Sequence, residues 1–311
     1  MKKFFKTVTL LAVALTFGIL AFSNNAFAED APKPAIFPEV SPVSQRLSLD
    51  PGASGTYEVK VKNIGSEAFS FRVYASPYSV SGENYDLSFE AQTNHTQISR
   101  WISFEQETYT VEVGDTAFVK YAVSVPEDVP AGSQYAAVFV ELLPGDTAEE
   151  SKGGIKAISR IAVVVYGSIA GETREIAEIK EMKLPLLMTS GKLIASTLIR
   201  NDGNTDFPAR TNLKITSLFG KVLYEKEESR DVLPDTERRI EIVWDETPSF
   251  GILRGEYTVS AIAGETKTKS RLIFIIPIFV IVFAILLLTS IIILAIITWR
   301  KHRLKKVNSI V

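Results

Sequence analysis

Tyr57-Glu58-Val59-Lys60-Val61-Lys62-Asn63-Ile64-Gly65-Ser66 is the stretch whose reading decides the fold. Tyr57, Val59 and Val61 alternate with Glu58, Lys60 and Lys62, and the run stops in a polar, Gly-containing turn. A period of two sends successive side chains to opposite faces, so this is a half-buried strand rather than a helix. The pattern spreads outward from there. Phe69, Phe71, Val73 and Ala75 form the next face, and Tyr109, Val111 and Val113 another, closed by Gly114-Asp115. Val119, Tyr121, Val123 and Val125 follow, up to the breaker Pro126–Gly132. Tyr135–Leu143 and Ile158–Ile169 are almost wholly apolar, which predicts strands buried on both faces. An acidic, Gly-rich hairpin loop, Pro144–Gly154, lies between them. Short strands with turn signals about every ten residues predict a β-sandwich over residues 46–170.

A second series begins after Gly171. Thr173–Met182 is expected to be a strand, and Leu193, Ala195, Thr197 and Ile199 alternate before Asn201-Asp202-Gly203-Asn204. Leu213 and Ile215 lead to the turn Phe219-Gly220-Lys221, and Val222–Tyr224 returns. Ile240, Ile242 and Trp244, then Tyr257, Val259 and Ala261, complete a unit expected over 171–270. There is no exact internal repeat, yet each half carries a polar-turn Asn between alternating strands. Residues 29–45, with Pro32, Pro34, Pro38 and Pro42, read as an extended lead-in. The expected fold class is all-β: two tandem immunoglobulin-like β-sandwiches followed by a single transmembrane α-helix.

Both ends of the chain address a membrane. Leu272–Trp299 holds no charged residue, and roughly 20 apolar residues suffice to cross a hydrocarbon core. Pro277 falls early in the run, where a missing N–H costs least. Trp299 suits the headgroup layer, and the tail 300–311 carries Arg300, Lys301, Arg303, Lys305 and Lys306, which positive flanks keep cytoplasmic. Lys2, Lys3 and Lys6, the apolar Val8–Phe22 and Ala26-Phe27-Ala28 read as a cleaved signal peptide over 1–28. The expected location is the cell membrane, single-pass, with residues 29–270 outside.

Charge and composition narrow the chemistry. Of 34 Lys/Arg, three sit in the signal, one is Arg271 and five follow the span, leaving 25 against all 36 acidic residues (25 − 36 = −11). That balance argues against nucleic acid and against electrostatic capture of an anionic polymer. With no cysteine, the ectodomain relies on its core, and thiolate catalysis, Cys-ligated zinc and disulfide exchange are excluded. Its single histidine, His95, lies in a polar loop and reads as a bystander. No Gly-x-Ser-x-Gly elbow and no Gly-rich phosphate loop occurs. Glu105/Glu107 and Glu127/Asp128 are carboxylate pairs by count, each at a strand end or turn, where solvated surface is the plainer reading. No catalytic residue and no cofactor is expected.

Two sets of residues remain as candidate sites. Asp202, Asn204 and Asp206 place oxygen atoms at a spacing that calcium loops use, without the downstream bidentate Glu; an ordinary hairpin turn, with Gly203 supplying φ > 0, is the plainer reading of the segment. Tyr74, Tyr78 and Tyr85 lie where the alternation breaks down, and are expected to be exposed and available for stacking on a ligand.

The order of motifs resembles one family. Ser41-Pro42-Val43-Ser44-Gln45 is followed by Leu49-Asp50-Pro51-Gly52 and the strand ending at Asn63. Then come Val125-Pro126-Glu127-Asp128-Val129-Pro130-Ala131-Gly132-Ser133-Gln134-Tyr135 and an apolar strand. This resembles the N-terminal, peptidoglycan-binding-type domain of the bacterial WxL-interacting proteins. The second half is similar to that family's C-terminal domain in its Asn201-Asp202-Gly203-Asn204 turn, Val232-Leu233-Pro234 and Gly255-Glu256-Tyr257. The resemblance implies a non-catalytic adhesive role, with contacts to cell-wall peptidoglycan and to a partner surface protein. A structural spacer or accessory subunit of a membrane complex, without a ligand of its own, is the alternative expectation.

Overall fold

The computed structural model describes residues 35–143, 159–189, 191–262 and 265–308, with side chains up to 299. The signal peptide, the start of the lead-in, the loop 144–154 and the side chains of the basic tail lie outside the described residues.

The first half runs β1 (Pro38–Ser41), β2 (Ser44–Leu49), β3 (Ser54–Asn63), β4 (Phe69–Pro77), β5 (Ser79–Ser81), β6 (Asp86–Ser88), a 3-10 turn (Gln97–Arg100), β7 (Ile102–Phe104), β8 (Thr108–Val111), β9 (Thr116–Ser124), β10 (Gly132–Leu142) and β11 (Arg160–Ile169). The second runs β12 (Ala177–Lys183), β13 (Leu187–Met188), β14 (Leu193–Asn201), β15 (Phe207–Ser217), β16 (Val222–Val232), β17 (Glu237–Trp244), β18 (Gly251–Ser260) and β19 (Thr266–Ile275). One helix, α1 (Ile278–Asn308), follows.

Alternation does what it predicts in β3: Val59 and Val61 are buried while Lys60 and Lys62 are exposed. The first half has sheets ordered β1-β3-β9-β7 and β2-β11-β10-β4-β8. Val59, Val61, Val119 and Val123 from one, and Phe71, Val73, Val138, Val140 and Val165 from the other, share one core. A separate core joins Leu193, Ile199, Ile240 and Ile242 to Leu213, Ile215, Tyr257 and Ile273, across sheets ordered β12-β14-β17 and β13-β19-β18-β15-β16. The strand orders correspond. In each half the opening segment starts antiparallel in the smaller sheet (β1 on β3, β12 on β14), then crosses to pair in parallel with the last strand (β2 on β11, β13 on β19). The first half differs by one insertion, residues 78–107, between β4 and β8.

The polar-turn asparagines also correspond. Asn63 Nδ2 donates to the carbonyls of Glu67 (2.8 Å) and Val111 (3.1 Å), and its Oδ1 accepts from Gly65 N (3.0 Å). Asn201 Nδ2 donates to Thr205 (2.8 Å) and Val232 (2.9 Å), and its Oδ1 accepts from Gly203 N (2.9 Å). Both are fully buried. A buried amide that satisfies three backbone groups fixes a turn that would otherwise strand them.

Three expectations are corrected. Ile158–Ile169 is not buried on both faces: in β11, Val163, Val165 and Ile169 are buried but Val164 and Tyr166 are only half-buried, whereas β10 is buried from Gly132 to Glu141. The apolar run from Leu272 is not one helix. Residues 272–275 complete β19 against β18, with Ile273 and Ile275 fully buried, so the second half extends past 270. Pro277 stands before the helix, its carbonyl accepting from Val280 N (3.0 Å). Finally, the expected strand from Thr173 begins only at Ala177. What remains apolar, Ile278–Trp299, is 22 residues long and still long and apolar enough to cross a membrane.

Candidate binding face and the joint between the halves

β10 is covered on both sides, so its outward residues Tyr135, Phe139 and Glu141 must meet something besides the core. Register supplies it: Glu141 has Arg72 and Arg160 as cross-strand partners, Phe139 has Tyr74, and Tyr135 has Tyr166, which in turn lies beside Arg46 of β2. Side chains on one face of neighbouring strands touch, and here they form a row of rings. Tyr74 stacks on Phe139 (5.3 Å), Phe89 meets Phe139 edge-on (5.0 Å), and Tyr78 bridges Phe89 (6.0 Å) and Tyr166 (6.4 Å). Tyr135 closes the row on Tyr166 (5.7 Å).

Three guanidinium groups border it: Arg160 over Phe139 (4.8 Å), Arg72 over Tyr74 (5.4 Å) and Arg46 over Tyr166 (4.6 Å). Cations prefer the electron-rich ring faces. Glu141 ties one end, accepting from Tyr74 Oη (2.8 Å) and Arg72 Nη2 (2.7 Å). Those donors, Tyr74 first, hold its carboxyl below the usual glutamate range. Burial, helped by Tyr78, pushes the Tyr166 phenol up to about 12. Tyr74, Phe89, Tyr78 and Tyr166 form a half-buried aromatic surface over the buried Phe139 and Tyr135, edged with guanidinium groups, of which Arg72 is paired with Glu141 and Arg46 with Asp206 and Asp231. This surface suits the apolar face of a sugar ring next to a carboxylate, or an aromatic and acidic patch on a protein.

Tyr74 and Tyr78 therefore share one face, but they are half-buried rather than exposed, because each lends a ring face to a neighbour. Tyr85 is not with them. It sits at the β5–β6 turn in the left-handed region (φ 62°) and reaches the second half. Its hydroxyl lies 2.6 Å from Thr236 Oγ1 and accepts from Leu233 N (2.9 Å), with Arg238 4.1 Å over the ring. Sequence reading missed Phe89, Phe139, Tyr166 and the arginines. The parity of β10 and β11 would reveal Phe139 and Tyr166, but apolar runs hide parity.

The Asp202–Asp206 turn is the keystone of the joint. Asp202 pairs with Arg200 (2.6 Å) at the end of β14. Asn204 Oδ1 accepts from Arg174 N (2.6 Å), and its Nδ2 donates to the carbonyls of Ala131 and Glu172 (3.0 Å each). Asp206 accepts from Ser133 Oγ (2.6 Å), Tyr135 Oη (3.1 Å) and Arg46 (3.1 Å), and Arg46 also holds Asp231 (2.5 Å). The three calcium candidates thus spend their side chains on different protein donors and acceptors. No group of three or more His, Cys, Asp or Glu that could hold a metal ion occurs among the described residues. Gly132 (φ 127°) is required where the halves meet, since a Cβ there would stand 2.2 Å from the Asn204 carbonyl. On the opposite flank Arg239 binds the Glu83 carboxylate, reaches Glu181 (3.1 Å), and donates its backbone N–H to the Glu83 carbonyl (2.7 Å).

Between these clamps lies a cleft of about 350 Å³, lined among others by Tyr78, Val80, His95, Tyr135, Leu233 and Asp235. His95 lies in this cleft with its Nδ1 2.9 Å from the Ser133 carbonyl and its Nε2 3.2 Å from Asp235 Oδ2. Ser133 offers the ring its carbonyl while its hydroxyl turns to Asp206, so the contact is a polar tie between the halves and not a nucleophile–base pair. Glu105, Glu107, Glu127 and Asp128 are exposed surface carboxylates.

No protein-family model and no curated protein matches the chain. Among solved structures, a class 5 fimbriae chaperone, CfaA, is similar at 13% identity and TM-score 0.37, covering 78% of this chain and 100% of its own. A chain of the chaperone–tip adhesion subunit pre-assembly complex of Acinetobacter baumannii Csu pili is similar at 12% and 0.39, covering 76% and 98%. The CupB2 chaperone of Pseudomonas aeruginosa gives 10% and 0.36, covering 74% and 98%. At these TM-scores the likeness carries no argument about this chain's activity.

Proposed function

We propose that this is a non-catalytic cell-surface binding protein, anchored by α1 with its basic tail inside, whose first half carries the ligand-binding face. The two halves read as tandem immunoglobulin-like sandwiches, in keeping with the resemblance to WxL-interacting proteins. The observation that carries the proposal is the set of half-buried rings Tyr74, Phe89, Tyr78 and Tyr166, packed over the buried Phe139 and Tyr135 and bordered by Arg46, Arg72 and Arg160. Cell-wall peptidoglycan offers sugar rings for the aromatics and peptide carboxylates for the guanidinium groups; an acidic, aromatic patch on a surface protein offers the same chemistry. The clamped joint favours one second reading, in which the two halves form a stiff spacer without a ligand.

Retention on insoluble peptidoglycan sacculi separates these. Residues 29–275 are expected to be retained, and the Arg72→Gln/Arg160→Gln double variant several-fold less, with unchanged circular dichroism. Equal retention of both proteins contradicts the assignment of this face. No retention of either at moderate salt excludes wall binding and leaves a protein partner or the spacer.

A further inference from the structure

The end of the second half that meets α1 carries its own surface. Gly251 is the cross-strand partner of Ile275, and Ser217 of Leu253, so the turn at Leu218-Phe219 lies level with the last rung of β19 and Phe250 lies one residue beyond it. Leu187 is the partner of Phe274 in the same rows. All of these point to one end of one sheet. Phe219 is 98% exposed and Phe250 69%, the two most exposed phenylalanines described outside α1; Leu186, Leu187 and Leu218 are each more than half exposed. Soluble surfaces seldom gather so many large apolar side chains at one tip.

Only Ile276 and Pro277 separate β19 from α1. Two residues span at most about 7 Å, roughly the depth of the headgroup region on one side of a bilayer. The tip therefore cannot stand clear of the membrane that α1 crosses. We infer that Leu186-Leu187, Leu218-Phe219 and Phe250 dock the second half on the lipid surface, with the phenylalanines in the interfacial layer and the exposed Lys221 toward lipid phosphates. The occupant is lipid because the patch is continuous with the span. The inference rests on the reading of α1 as a membrane anchor, and it makes the second half a fixed pedestal rather than a domain swinging on a tether.

The chain has no cysteine, so a single introduced one reports one place. The full chain, in vesicles of phosphatidylcholine and phosphatidylglycerol, would carry an environment-sensitive dye at Ser249→Cys, which keeps both phenylalanines, or at Phe219→Cys. Leu287→Cys in α1 and Val113→Cys in the first half are references. Dye at 249 and 219 is expected to be quenched several-fold more by lipid-borne nitroxide than dye at 113, and less by iodide. The inference is overturned if 249 and 219 match 113 while 287 is lipid-quenched. It is equally overturned if they are shielded from both quenchers in proportion to protein density, which would mean a second copy covers the tip. Absence of lipid quenching at 287 removes the anchor reading itself, and this inference with it.

Discussion

The two halves share one strand order and part company at one connection. In the second half β15 turns tightly at residues 218–221 into β16, an edge strand as long as itself. In the first, β4 leads into the inserted residues 78–107, and its partner β8 is only four residues long. The insertion carries much of what distinguishes the first half. Phe89 and Tyr78 complete the aromatic row, Glu83, Tyr85 and His95 grip the second half, and Ile98, fully buried, nails the segment into the core. The tight turn instead sends Phe219 toward the membrane end. One frame was thus given two surfaces by changing a single loop, as expected where a rigid scaffold presents variable connections.

The largest expected effect concerns the end of that frame. A chain stopped at Ser270 loses Ile273 and Ile275 together with five rungs of β19. Each buried isoleucine is worth about 2–5 kcal/mol, so the loss approaches the whole stability of a domain, about 5–15 kcal/mol. Stopped at 270, the second half is expected to melt while the first stays folded; stopped at 276, both hold. Calorimetry that shows two intact transitions at 270 breaks the proposed correspondence of β19 with β11.

Next come the matched asparagines. Asn63→Ala and Asn201→Ala each leave a buried carbonyl and a turn N–H without partners, costing about 1–3 kcal/mol. Denaturant unfolding is expected to lose a similar amount in each case, but in different halves. Only the second is expected to loosen the joint, because Thr205 and Asp206 belong to that turn. Tyr85→Phe removes the acceptor of the buried Leu233 N–H and is expected to cost about 1 kcal/mol without altering retention on sacculi. A loss of retention there would move the binding site into the joint.

The smallest effect is a pH dependence. Neighbouring donors hold Glu141 low in the first half, and Glu181, Glu228 and Glu237 low in the second. Carboxylates favoured as ions in the folded state stabilise it fully above the ordinary glutamate value, about pH 4.3, and lose that contribution as pH falls through the lowered folded values. Glu181, Glu228 and Glu237 are half-buried, in pairs that solvent still screens, and only Glu141 is buried, so the effect is small. Acidification is expected to lower the melting temperature of the second half slightly before that of the first.

What the sequence made legible follows from its periods. β3 alternates and ends in an Asn-containing turn, and was readable because one face meets water; β14 was readable from the matching turn, although it is buried from Ala195 to Ile199. β10, β11 and the 272–299 run are apolar over most of their length, so neither the half-buried side of β11 nor the change from β19 to α1 leaves a clear trace in hydropathy. The aromatic row draws on three strands and an aperiodic insertion, and the ties from Arg46 to Asp206 and Asp231 span 160 and 185 residues. Such pairings exist only in the folded chain. The Asp202–Asp206 spacing was visible, but the donors from Ser133, Tyr135 and Arg46 that use up Asp206 were not.

Oxidative footprinting of residues 29–275, with and without soluble peptidoglycan fragments, tests the central claim most directly. Protection of Tyr74, Tyr78 and Tyr166, with exposed Phe118 and Phe219 unchanged, is the predicted result. Protection confined to the second half, or none at saturating fragment, contradicts a ligand-binding face on the first.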